Sequence, residues 1–145
     1  MLDRTAIARL IPHQGSMCLI DGVEAWSATS IDCWALSHRA AGHPLRRDGA
    51  LSPLAGIEYG LQAMAVHGAL CDDKPHPPGY LSSLREVELG PRDLDAVAGR
   101  LAIRAELLIS AAQGFIYRFA VSGDGEMLVA GRASIAFPDG AGAPT

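Results

Sequence analysis

Residues 53–71, PLAGIEYGLQAMAVHGALC, limit what this chain can fold into more than any other stretch. Ser52 followed by Pro53 places a good N-cap before a residue suited to the first helical position. Leu54, Ile57, Leu61, Met64 and Ala65 then recur at i, i+3, i+4 spacing. Ala55, Gly56, Gly60, Ala63, Gly68 and Ala69 cover much of the remaining circumference. About nineteen residues at 1.5 Å each make a rod of roughly 28 Å. A helix with so little charge around its girth belongs inside something. Its one acid, Glu58, either meets water or sits in an apolar pocket as a proton-transfer group. Positions 55, 59, 62, 66 and 69 carry Ala, Tyr, Gln, Val and Ala, so no wet face matches it, and the pattern points to a pocket.

The material around the helix reads as strand. An amphipathic stretch over 3–10, with Asp3 as a possible cap, stops at Pro12, and PHQG reads as a turn. From Met17 to Trp26 and from Thr29 to Ser37 the chain is β-prone, a long antiparallel hairpin turned at WSATS. Residues 39–52 have no period. After the breaker-rich DDKPHPPG, four strands are expected at 80–89, about 96–110, 115–122 and 126–137. Asp124-Gly125 between the last two supplies the positive φ values of a tight hairpin. Strands joined by short turns are antiparallel. A single such sheet covers so long a helix by curling round it, an α+β fold with the helix as filling. One domain over 1–138 and a frayed tail over 139–145 are expected.

Several function classes are excluded. A net charge of −4 gives no reason to expect a polyanion partner such as nucleic acid. Three cysteines (Cys18, Cys33, Cys71) without CxxC spacing suit reduced thiols, each read as a small buried hydrophobe in a cytoplasmic protein. The N-terminus has no continuous apolar region like that of a secretory signal, and no run is long enough to span a bilayer. A zinc site from His13, His38 and His43 lacks the spacing and cysteine pairing of such sites, so no metal is expected. His38, His67 and His76 read as surface or loop residues.

LIPHQGSMCLIDGV at 10–23 and GIEYGLQAMAVHG at 56–68, within this organisation, resemble the hotdog-fold β-hydroxyacyl-ACP dehydratases. Leu10, Pro12, His13, Met17, Leu19, Asp21 and Val23 match the family's approach to its first strand; Glu58, Gln62 and Ala63 match its central helix. With RDGALSPLAGIEY the chain is similar to the divergent branch associated with aryl-polyene and related fatty-acid-like pathways. The resemblance covers roughly residues 8–137. It implies dehydration of a 3-hydroxyacyl thioester to the trans-2-enoyl thioester, with no cofactor. The thioester would arrive on acyl carrier protein or coenzyme A. A homodimer, or a heterodimer with another hotdog chain, is implied because the family builds its site across two subunits.

The resemblance makes Glu58 the acid, with Gln62 on the same helix face at i+4. The thioester carbonyl would meet free N–H groups near Leu54, Ala55 and Gly56 at the helix start. His43 stands where the family's basic histidine belongs, but the His-Phe-Pro-Gly signature is absent and Pro-Leu-Arg-Arg follows it. His13 matches a residue that orients its loop. Arg46 and Arg47 form either a solvated loop or an attractor for the phosphopantetheine phosphate or an acidic carrier protein. Two alternatives remain: a hotdog thioesterase, in which the carboxylate activates water, and a non-catalytic subunit completing a heterodimer.

Overall fold

A computed structural model describes residues 2–11, 17–72 and 79–137. In chain order the elements are β1 (Leu2–Asp3), α1 (Arg4–Leu10), β2 (Gly22–Trp26), β3 (Ser30–Ala35), α2 (Gly56–Cys71), β4 (Tyr80–Leu89), β5 (Leu101–Ala111), β6 (Gly114–Gly123) and β7 (Glu126–Ala136). The seven strands form one sheet in the order β1-β2-β3-β5-β6-β7-β4, with every pairing antiparallel. Helix α2 lies against β3, β5, β6 and β7. This is the α+β hotdog arrangement, a sheet closed round one long helix.

Local chemistry explains the elements. Asp3 Oδ1 accepts from the Ala6 N–H at 3.0 Å and caps α1. Asp124 and Gly125 both adopt positive φ (52° and 77°), and Gly123 pairs with Glu126 across the turn they make. Ser52 Oγ accepts from the Leu54 N–H at 3.1 Å, Pro53–Ala55 form one 3-10 turn, and the α-helix proper begins at Gly56.

The buried face of α2 differs from the expected one. Of the stripe Leu54, Ile57, Leu61, Met64 and Ala65, Met64 is buried, Leu54 is 55% exposed and the other three are half-covered. The innermost face instead carries Gly56, Tyr59, Gly60, Gln62, Ala63, Val66 and His67. Close approach is the reason. A Cβ on Gly56 would lie 2.5 Å from Val129 Cγ1, and one on Gly60 would lie 2.7 Å from Phe119 Cδ2. Small residues let the sheet close on the backbone, and the larger apolar side chains are left on the half-open side.

The expected strand from Met17 begins later, at Gly22. Leu19 is buried, but its polar groups bond side chains rather than a ladder: its N–H goes to Gln62 Oε1 at 2.8 Å and its carbonyl to Ser37 Oγ at 2.7 Å. The fourth expected strand boundary also moves, because Leu94–Ala96 form a 3-10 turn before β5. The PHQG turn, most of the loop after α2, and the expected tail from 139 lie outside the described residues.

Candidate active site

Glu58 occupies the first turn of α2 on its half-open side, next to Ile57 and one turn from Leu54 and Leu61. It is neither in bulk water nor sealed. Gln62, one turn on and fully buried, donates from Nε2 to Glu58 Oε1 at 3.4 Å. The amide of Gln62 is anchored at both ends: Oε1 accepts the Leu19 N–H, and Nε2 also donates to the Met17 carbonyl at 2.6 Å. These bonds settle which end of the amide faces the carboxyl. The loop before β2 therefore holds Gln62, and Gln62 presents a donor to the carboxyl.

His43 is buried in the loop before the helix, 6% exposed. Its Nδ1 accepts the Leu45 N–H at 3.0 Å and its Nε2 lies 3.0 Å from the Tyr59 hydroxyl. A neutral imidazole with Nδ1 accepting carries its proton on Nε2. The next bonds agree. Ser37 Oγ donates to the Leu19 carbonyl, so Tyr59 donates to Ser37 Oγ at 2.7 Å and accepts from His43. Burial, with smaller contributions from Arg46 and His38, holds His43 below the usual histidine range. Burial likewise pushes the Tyr59 phenol up to about 12. His43 is thus a locked neutral donor, with both nitrogens engaged inside the chain.

The expected free donors at the helix start are occupied. Leu54 N–H bonds Ser52 Oγ, Ala55 N–H bonds the Ser52 carbonyl at 2.9 Å, and Gly56 N–H bonds the Pro53 carbonyl. The serine cap and the 3-10 turn account for all three. Arg46 is not a free cation either. Its guanidinium reaches the carbonyls of Ala40, Gly49 and His38 and the carboxylate of Asp95 at 3.3 Å, stapling the loop. The Leu51 N–H, with Arg46 as a further partner, holds Asp95 below the usual carboxylate range. Arg47 is exposed and bonds the carbonyls of Pro44 and Arg46. His13 lies outside the described residues, as does His76.

His38 and His67 are fully buried, contrary to a surface or loop reading. His38 faces the Val97 carbonyl through Nε2 at 3.1 Å, and its Nδ1 finds no partner among the described residues. His67 bonds the Tyr117 hydroxyl through Nδ1 at 2.7 Å and the Ser27 carbonyl through Nε2 at 2.8 Å. Cys18 and Cys33 are buried as expected, and burial pushes Cys33 up to about 12, so neither suits nucleophilic work. Cys71, the last residue of α2, is exposed, with its Sγ 3.5 Å from His67 Nε2. Tyr59 and Ser37 are the residues that sequence reading missed. A tyrosine on a helix of small residues is a usable signal, because its buried hydroxyl needs a partner.

No group of three or more His, Cys, Asp or Glu able to hold a metal occurs among the described residues. No helix among them is long and apolar enough to cross a membrane. A protein-family model described as "ApeP-like: ApeP dehydratase" matches residues 5–143. Among curated protein sequences none matches. The dehydratase heterocomplex ApeI:P from Xenorhabdus doucetiae has a similar structure, with a TM-score of 0.77, 22% identity, and coverage of 92% of this chain and 91% of that chain. A mutant thioesterase from Pseudomonas aeruginosa gives a TM-score of 0.56 at 19% identity, covering 81% and 79%. AziG from S. sahachiroi gives 0.60 at 11% identity, covering 81% and 89%. At these identities the structural likenesses speak for the fold.

Proposed function

The chain belongs to the ApeP-like dehydratase family, and we propose that it dehydrates a 3-hydroxyacyl thioester carried by acyl carrier protein, supplying Glu58 to a site completed by a second hotdog chain. The product is the trans-2-enoyl thioester of a fatty-acid-like or polyene pathway. Three free cysteines fit work in a reducing, cytoplasmic compartment.

The observation that carries this reading is the Glu58–Gln62 pair. A carboxyl beside apolar side chains, with a donor held on it by a doubly anchored amide, is a positioned proton-transfer group. In the reaction a base takes the proton on the carbon next to the thioester carbonyl. The electron pair left behind forms the new C=C bond as the C–O bond breaks. The hydroxyl leaves as water with a proton from the Glu58 carboxyl. Gln62 orients Glu58; His43 orients the loop through Tyr59 and Ser37. With the lone pair of Nδ1 bonded to Leu45 N–H, His43 is a poor candidate for the base. We assign that base, and the donors to the thioester oxygen, to the partner chain. Exposed Leu54 with half-covered Ile57 and Leu61, beside Glu58, is the surface on which such a partner and the acyl chain would close. The similar dehydratase structure is itself a heterocomplex.

The test is incubation with 3-hydroxyacyl-carrier protein, alone and with a second hotdog chain from the same source, followed by detection of enoyl product. Product in the mixture that Glu58→Gln removes supports the proposal. Product that survives Glu58→Gln favours a non-catalytic subunit, and release of free thiol without enoyl product favours a thioesterase.

A further inference from the structure

The outer face of the sheet handles charge differently in its two halves. Around β2, β3 and β5, cations meet anions: Arg100, just before β5, with Glu24 at 3.2 Å, and Arg104 with Asp32 at 2.7 Å and Glu106 at 4.0 Å. Across β4, β7 and β6, three arginines stand in one row. Arg85 is directly opposite Arg132, and Arg132 is directly opposite Arg118. Like charges so placed repel. Arg132 reaches Glu86 at 3.1 Å, a side chain 69% exposed, while Arg85 and Arg118 make no ion pair among the described residues. Glu106 is opposite Arg118 in register but lies within ion-pair range of Arg104.

Two residues along the same strands runs a second row, in which Ser83 faces Ser134 and Ser134 faces Ile116. Residues two apart share a face of the sheet. Between the rows lies a cavity of about 250 Å³ lined by Ser83, Arg85, Ile116, Arg132 and Ser134. It opens away from α2, because the intervening Tyr117 and Ala133 are buried on the helix side. Its lining is two guanidinium forks, two hydroxyls and one apolar side chain, with no carboxylate. The surrounding chain has a net charge of −4.

We infer that this cavity binds a phosphate group, as a monoester or diphosphate, carried by a small organic molecule whose apolar part rests on Ile116. Guanidinium forks match phosphate oxygens two bonds at a time, and the serine hydroxyls add donors from the facing row. The volume exceeds what a phosphate alone fills, which leaves room for part of its carrier. An acidic protein surface, by contrast, has no need of a cavity. A bound anion also relieves the repulsion along the arginine row, so binding raises the stability of the folded chain.

Calorimetric titration of the full chain with pyrophosphate, AMP and inorganic phosphate tests this, with poly-glutamate and phosphatidic-acid vesicles as comparators. Saturable binding of pyrophosphate and AMP is expected, weakening with added salt and raising the melting temperature. The double variant Arg85→Gln, Arg132→Gln should weaken it about tenfold or more, leaving dehydration unchanged. These neutral replacements remove repulsion as well as the exposed Arg132–Glu86 pair, so a melting curve close to the parent's separates lost binding from lost folding. No saturable binding of a soluble phosphate, equal binding by the double variant, or binding of poly-glutamate or vesicles without the soluble phosphates would each overturn the inference.

Discussion

The two ends of α2 carry the same pair of side chains, an imidazole and a phenol, and use them in opposite senses. At the first turn His43 gives its Nε2 proton to Tyr59, and Tyr59 passes its own to Ser37. At the last turn His67 gives Nε2–H to the Ser27 carbonyl, so Tyr117 donates to Nδ1. The first pair ties a loop without ladder bonds to the helix. The second, packed edge-on at 5.6 Å between ring centroids, ties the β2–β3 turn and β6 to the helix. Both are closed internal networks with depressed imidazoles, and neither offers a free base. What distinguishes the first end is Glu58, a half-open carboxyl in the same turn of α2 as Tyr59, with Gln62 donating to it. The pairs hold the shape, and the proposed chemistry falls to the acid.

Breaking the first pair has the larger expected cost in stability. Tyr59→Phe leaves the His43 N–H and the Ser37 hydroxyl each short of a partner, a loss of about 2–4 kcal/mol in denaturant unfolding. The same variant should slow dehydration, because the loop that anchors Gln62, and through it Glu58, loses a tie. Tyr117→Phe leaves one acceptor, His67 Nδ1, unfilled and costs about 1–3 kcal/mol, with turnover unchanged at temperatures where the protein stays folded. Equal effects of the two variants on turnover would erase the distinction between the ends.

Acid should act on both ends alike. Burial lowers His43 and His67, and also His38, below the 6.5 of an exposed imidazole. Below about pH 6.5 the unfolded chain takes up protons that the folded chain refuses, so stability is full above that pH and falls as pH drops toward the lowered folded values. The slope is at most about 1.4 kcal/mol per pH unit for each imidazole. Replacing either His43 or His67 by Gln should flatten the unfolding profile by one imidazole's share. A profile flat from pH 7 to 5 in the parent would show that the networks do not exclude the proton. The smallest effect belongs to Cys71→Ser, an exposed thiol at the last residue of α2, within about 0.5 kcal/mol of the parent.

The sequence makes the scaffold legible and the networks hard to see. Ser52-Pro53, the glycine and alanine run of α2 and the Asp124-Gly125 turn are local signals, and each yields the element it implies. Glu58 and Gln62 are legible as a pair because i, i+4 spacing is local too. The partners of Tyr59, His67 and Gln62 are not, since they lie 16 to 50 positions away and meet only when the sheet closes. Burial of His67 follows from that closure, which a helical wheel read alone does not contain. Arg46 misleads for the same reason: its acceptors are loop carbonyls and Asp95, 49 positions on. Arg85 on β4 and Arg118 on β6, which make no ion pair among the described residues, are set by strand register on either side of Arg132.

Under the proposed function, Glu58 is the proton-transfer group this chain contributes. Its direct test is the rate of enoyl formation by Glu58→Gln in the presence of the partner chain, with the melting temperature measured on the same sample. A loss of about 10²–10⁴-fold is expected with melting nearly unchanged, because the replacement is half-exposed and close to isosteric. A variant that folds normally and dehydrates at the parent's rate would contradict it.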